Sequence, residues 1–176
     1  RMAASADAPN VVVVLIDTLR ADELGCYGAQ PSSTPNLDRF AADGLVFDHM
    51  FSQAPWTMPS VATLFTGLYP RSHGVDRWPF FRGDADDGAE RAFLSDTLPT
   101  LAGTAQRAGI TTVAVSGNPL VSPSTNFARG FDTFVEWRFE TGQGRWPSAA
   151  EINDAFLRWL RRNRGYRFLA YLHYID

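Results

Sequence analysis

The sequence predicts an α/β fold, with a mixed, mostly parallel sheet sandwiched between helices. Three observations carry that reading. Residues 10–16 (NVVVVLI) form an unbroken β-branched and aliphatic run, as in a strand covered on both faces. Strand-like and helix-like stretches then alternate along the chain. The 176 residues, 45% hydrophobic and 13% aromatic, are enough for one core of that kind.

Taken in order, residues 1–10 are small and polar and read as a tail or linker. After the first strand, Thr34 serves as N-cap, Pro35 takes the first helical position and Gly44 falls just past the helix end. Residues 45–51 alternate loosely and read as a second strand. Pro55-Trp56-Thr57-Met58-Pro59 leads into a short helix ending near Gly67. Residues 71–90, rich in Gly, Asp and aromatics, read as a loop. Residues 98–108 read as a helix, 110–116 (ITTVAVS) as a strand, 118–130 as a loop and 131–136 as a short edge strand. Within 149–164, Ile152, Phe156, Trp159 and Leu160 share one helical side. Residues 168–175 form the last strand, and the closing apolar run leads us to expect more protein after it.

Composition removes several function classes. The net charge of −3, without any basic block, argues against a nucleic-acid partner. No apolar run approaches the roughly 18 residues of a membrane span. All 16 basic residues are arginine, which excludes a P-loop or Schiff-base lysine in this stretch. Cys26 is the single cysteine, so neither an internal disulfide nor a cysteine-rich zinc site can form. GxGxxG and GxSxG motifs are absent, and Ser72, His73 and Asp76 are too close in sequence to read as a triad.

Two residues stand out chemically. Asp17 directly follows the first strand, and the carboxyl ends of strands are where α/β sheets hold ligands, so it is a candidate metal ligand. Its plainer alternatives are capping a turn or pairing with Arg20. Thr57 sits in the first turn of a helix, where orphan N–H groups and the positive dipole end favour an alkoxide or a bound oxyanion. An ordinary N-cap threonine is the plainer alternative, and Ser60 is either a further cap or an anion contact. His49, on the expected second strand, His73, in the loop, and His173 lack metal-type spacing and read singly as structural. Arg158, Arg161, Arg162 and Arg164 read as the solvated face and cationic end of a helix.

Two long blocks, NVVVVLIDTLRADELGCYG (residues 10–28) and TPNLDRFAADGLVFDHMFSQAPWTMPSVATLFTGLYPRSHGV (residues 34–75), resemble the N-terminal half of the sulfatase family, within the alkaline-phosphatase-like superfamily. GITTVAVSGNPL, RGFDTF and FLAYLHYID follow in the same order. The resemblance implies that residues 11–176 are the N-terminal part of a sulfatase-like catalytic domain, incomplete at its C-terminus. Asp17 then matches a ligand of the family's divalent cation, and Thr57 takes the nucleophile's place at the head of the C/S-x-P-S-R motif, where its hydroxyl would also meet the metal. Asn118 falls where relatives place substrate-contacting groups, and Ser60 is assigned to substrate as well.

The departures narrow the chemistry. The motif here reads Thr57-Met58-Pro59-Ser60-Val61, with neither Cys or Ser at its head nor Arg at its end, so formylglycine is not expected. The family's Lys and His near Gly117-Asn118 are missing, and its catalytic His and remaining metal ligands belong to later sequence. A threonine has one hydroxyl, so its covalent intermediate has to be opened by water or an acceptor alcohol. The reading is a metal-dependent hydrolase or transferase of sulfuric or phosphoric esters, leaning to phosphate or phosphonate. Its alternative is a non-catalytic domain that binds an anion or a partner. One divalent cation is expected, calcium from the family's habit, with manganese, magnesium or zinc open. The expected substrate is a small-molecule, glycan or lipid-headgroup ester, with a periplasmic or extracellular setting. The fragment alone is expected to be inactive.

Overall fold

Four strands carry the sheet: β1 (Val11–Ile16), β2 (Thr111–Ser116), β3 (Thr133–Glu136) and β4 (Phe168–Tyr174). They lie in the order β1-β4-β2-β3, and every pairing is parallel. The computed structural model describes residues 1–4, 7–76, 93–137 and 145–175. The chain forms two units: Arg1–Asp17 with Gln53–Asp176, which holds the sheet, and Thr18–Ser52.

The period of two along each strand sorts the sheet's faces. Ala114 and Tyr171, with half-buried Val13, Leu15 and Phe134, face one side, where helix α2 (Thr57–Thr66) packs through Met58, Val61, Ala62 and Phe65. Val113, Val115, Ala170 and Leu172 face the other, against Ile152, Ala155, Phe156, Trp159 and Leu160 of helix α5 (Ala149–Asn163). The sandwich of helices about a parallel sheet is as the sequence predicts. Helix α5 starts at a capping box, in which the Ser148 hydroxyl accepts from the Glu151 N–H and the Glu151 carboxylate accepts from the Ser148 N–H.

Several local expectations need correction. Residues 45–51 form no strand; they run as exposed coil and turn, with Leu45, Met50 and Phe51 more than 70% exposed. Their apolar residues fall on both sides of the run, so no single face drives pairing. His49 therefore lies in a turn, stacked on Phe51, rather than on a strand. The first strand is not covered on both faces: β1 is an edge strand, and Val11, Val12 and Val14 are 45–55% exposed. The helix expected from residue 98 begins later, as α4 (Leu101–Arg107), because the Thr100 hydroxyl caps it by accepting from the Gly103 N–H. Of the loop expected at 71–90, residues 71–73 belong to the short helix α3 (Pro70–His73), and 77–90 lie outside the described residues. Near the N-terminus, Ala3 bridges antiparallel to Tyr166, and the Met2 N–H donates to the Gly109 carbonyl.

In the smaller unit, Asp38 of helix α1 (Pro35–Ala42) accepts from the Cys26 N–H and from the Ser32 and Thr34 hydroxyls, tying the preceding loop to the helix. Among the described residues no helix is long and apolar enough to cross a membrane.

Gly130 sets up one stability test. Its φ is +89°, and a Cβ there would sit 2.2 Å from the Gly103 nitrogen in α4. Gly130→Ala is therefore expected to cost about 3 kcal/mol or more, from left-handed strain plus overpacking. A urea midpoint unchanged from wild type would contradict this.

Candidate active site at the carboxyl end of the sheet

Asp17 extends the alternation of Val13 and Leu15, so its side chain emerges on the α2 side of the sheet. Its N–H continues the ladder by donating to the Tyr174 carbonyl at 2.9 Å. His173, two residues beyond Tyr171 on β4, shares that face. Gly117 follows β2 and packs tightly, since a Cβ would lie 3.1 Å from the His173 carbonyl, Ile152 and Pro147. That close approach brings the next residue, Asn118, over the strand ends.

Helix α2 supplies the fourth group. Trp56 is its N-cap, in extended conformation, and no side chain caps the turn from that position. Thr57 occupies the first helical position and is not the N-cap of its plainer reading. Pro59, two residues on, lacks an N–H and suits the first turn. The Ser60 hydroxyl donates toward the Ala54 and Trp56 carbonyls, at 2.8 and 2.9 Å, which fastens the loop that aims Thr57. This geometry turns the Ser60 proton to backbone carbonyls.

One carboxylate oxygen collects these elements. Asp17 Oδ2 accepts from Thr57 Oγ1 at 3.0 Å, from Asn118 Nδ2 at 2.8 Å and from His173 Nε2 at 3.2 Å. Asn118 Oδ1 accepts from the Leu120 N–H at 2.9 Å, an Asx-turn contact that leaves the NH2 end for Asp17. Asn118, 8% exposed, is thus engaged with Asp17. Arg20, the plainer partner for Asp17, pairs with Asp22.

These contacts draw the Asp17 carboxyl down from 3.8 to about 2. The His173 hydrogen bond is the largest single cause; burial opposes it, and the Thr57 bond, the His173 charge and the Asn118 bond add to the lowering. A folded value below the unfolded one means the network's stabilisation is complete above about pH 4 and vanishes as pH falls through about 2. Asp17 is ionised throughout the neutral range and can only accept hydrogen bonds.

The carboxylate and the Thr57 hydroxyl are hard oxygen donors of the kind that suits a divalent cation. They fit one side of such a site. Among the described residues, no group of three or more His, Cys, Asp or Glu is placed to hold a metal.

His173 is the residue that sequence reasoning missed, since it is wholly buried and in contact with Asp17. The usable signal was its place near the carboxyl end of a strand, but the contact depends on β4 lying next to β1. The structural reading of His73 holds: it is buried, its Nδ1 accepts from the Val75 N–H, its Nε2 meets Thr63 Oγ1, and burial lowers its pKa. Arg158, Arg161, Arg162 and Arg164 are solvent-exposed, as expected.

Comparison with known proteins gives a consistent picture. A family model described as Sulfatase matches residues 9–176. An arylsulfatase of Clostridium perfringens is 29% identical over 164 residues, covering 90% of this chain and 31% of that protein. The N-acetylgalactosamine-6-sulfatase of Homo sapiens is 44% identical over 66 residues, covering 38% of this chain and 13% of that protein. The crystal structure of a phosphonate monoester hydrolase of Agrobacterium radiobacter shares the fold, with TM-score 0.71 and 21% identity, over 96% of this chain and 41% of that one. The chain therefore spans less than half the length of each.

Proposed function

Because the chain belongs to the sulfatase family, we propose that it supplies the N-terminal part of a metal-dependent hydrolase or transferase of sulfuric or phosphoric esters. Thr57 is the nucleophile, and Asp17, with the Thr57 hydroxyl, holds one side of a divalent cation. Phosphate and phosphonate esters are the favoured substrates. The observation that carries this reading is the 3.0 Å contact between Thr57 Oγ1 and Asp17 Oδ2 at the head of α2.

The residues divide the work as follows. Asp17 Oδ2 accepts a hydrogen bond from the Thr57 hydroxyl, which turns the lone pairs of Oγ1 away from the carboxylate and toward an incoming ester. The first-turn N–H groups of α2 face the oxyanion with the positive end of the helix dipole. A divalent cation, when bound, neutralises oxyanion charge and lowers the pKa of a hydroxyl it touches. Oγ1 bonds to phosphorus as the ester O–P bond breaks, and the proton it gives up ends on the departing alcohol. Water or an acceptor alcohol then opens the Thr57 ester. With a single hydroxyl, Thr57 cannot expel its product by the elimination open to formylglycine hydrate, and this is why phosphoryl chemistry is favoured over sulfuryl chemistry.

The alternative, a non-catalytic domain that binds an anion or a partner, draws on Val61 standing where the motif has arginine and on the lysine and histidine missing near Gly117-Asn118. Turnover by the full-length protein separates the two. With calcium, manganese, magnesium or zinc supplied in turn, it is expected to hydrolyse p-nitrophenyl phosphate or p-nitrophenyl phenylphosphonate faster than p-nitrophenyl sulfate. A preference for the sulfate would overturn the phosphoryl assignment, and no turnover with any metal would favour the binding domain.

A further inference from the structure

We infer that Tyr171 and His173 are positioning residues, a buried pair that fixes the orientation of the Asp17 carboxylate from the core side. The inference rests on the proposed role of Asp17 as a cation ligand, and it assigns two residues that this role does not itself require.

His173 is completely buried, and both its ring nitrogens have partners on this face of the sheet: Nε2 meets Asp17 Oδ2 at 3.2 Å, and Nδ1 meets the Tyr171 hydroxyl at 2.9 Å. An ionised carboxylate cannot donate, so the proton between His173 and Asp17 sits on Nε2. In the neutral ring, Nδ1 is then an acceptor and Tyr171 donates to it. The two bonds thus select one tautomer, with the phenol holding the imidazole so that its N–H points at Asp17. This ordering resembles the outer-shell contacts that orient metal-binding side chains elsewhere.

The geometry is stiff at its far end. Tyr171 is 2% exposed, and its ring meets Phe65 of α2 edge-on, with centroids 4.9 Å apart. Burial first, and the Asp17 charge second, keep the phenol protonated well beyond its ordinary range, so it remains a donor in mildly alkaline solution. Alternation along β4 places Tyr171 and His173 on one face, and the β1–β4 register pairs Leu15 with His173, two residues short of Asp17. No step of the proposed reaction uses either residue, which leaves their buried polar chain to be explained by orientation.

The test uses full-length protein with 15N-labelled histidine, in two measurements. In the metal-free protein in mildly alkaline solution, the His173 nitrogens are expected to show a single Nε2–H tautomer. Tyr171→Phe is expected to convert this to a mixture while leaving the folded far-UV signal intact. An Nδ1–H tautomer in the wild type, or no change in Tyr171→Phe, would overturn the inference.

The second measurement is calorimetric titration with calcium and manganese. His173→Ala is expected to weaken the binding that depends on Asp17 by about 10- to 100-fold, with His173→Gln, which keeps an N–H donor, recovering much of it. Should His173→Ala unfold, Tyr171→Phe serves alone, with a loss of several-fold. Unchanged affinity in these variants, where Asp17→Asn abolishes binding, would overturn the positioning role and leave the ligand role standing. Affinity unchanged in Asp17→Asn as well would overturn the ligand role itself. Loss of the Nε2 proton when metal is added would make His173 a ligand and also overturn the inference.

Discussion

Thr57→Ala in the full-length protein is expected to lower kcat by about 10⁴-fold or more on whichever aryl ester the wild type turns over, with the fold intact. The substitution removes the single atom assigned to bond with phosphorus or sulfur. It does little else. Thr57 is the first helical residue, not the N-cap, and alanine is the better helix former. Asp17 Oδ2 keeps its bonds from Asn118 and His173, so the carboxylate stays in place. Thr57→Ser, which retains a hydroxyl, is expected to stay within about tenfold of wild type, a difference of about 1.4 kcal/mol in the barrier. Thr57→Ala with kcat within tenfold of wild type would remove the hydroxyl from the nucleophile's role.

Asp17→Asn is the second large effect. It is expected to weaken divalent-cation binding by at least about 100-fold, at or beyond the range seen when outer-shell partners are lost, and to reduce turnover in parallel. The substitution keeps size and shape. An asparagine can still present its carbonyl oxygen to Thr57, Asn118 and His173, but each bond falls from the charge-assisted range of about 1.5–3 kcal/mol toward about 1 kcal/mol. The charge that attracts a cation is gone. Because Asp17 is ionised down to about pH 2, its own protonation has no part in the pH dependence of binding near neutrality. Calorimetry giving wild-type affinity in Asp17→Asn would take Asp17 out of the metal site.

Asp17 and Thr57 were legible because each is fixed by local chemistry. An aliphatic strand that stops at an acid, and a hydroxyl just before a first-turn proline, can be read without knowing what packs on them. Residues 45–51 were misread for the complementary reason: loose alternation resembles a strand, but a strand needs a partner edge, and pairing is not written in one segment. The same limit hid the exposure of β1, since its four valines fit a central strand as well as an edge. Asn118 was singled out through the family resemblance, which did not give its contact with Asp17. The contact of Asn118 Nδ2 with Asp17 spans 101 residues and follows from β1 and β2 flanking β4. His173 needed the same register to become visible.

Acid-quenched turnover followed by peptide mass mapping addresses the joint action of Asp17 and Thr57 most directly. Full-length protein is mixed with p-nitrophenyl phosphate and metal, stopped within a few turnovers, and digested. A phosphoryl group is expected on Thr57, absent in Thr57→Ala and strongly reduced in Asp17→Asn. A phosphoryl group mapped to any other residue, or full labelling of Thr57 in Asp17→Asn, would contradict the pairing of this carboxylate and this hydroxyl at one reacting centre.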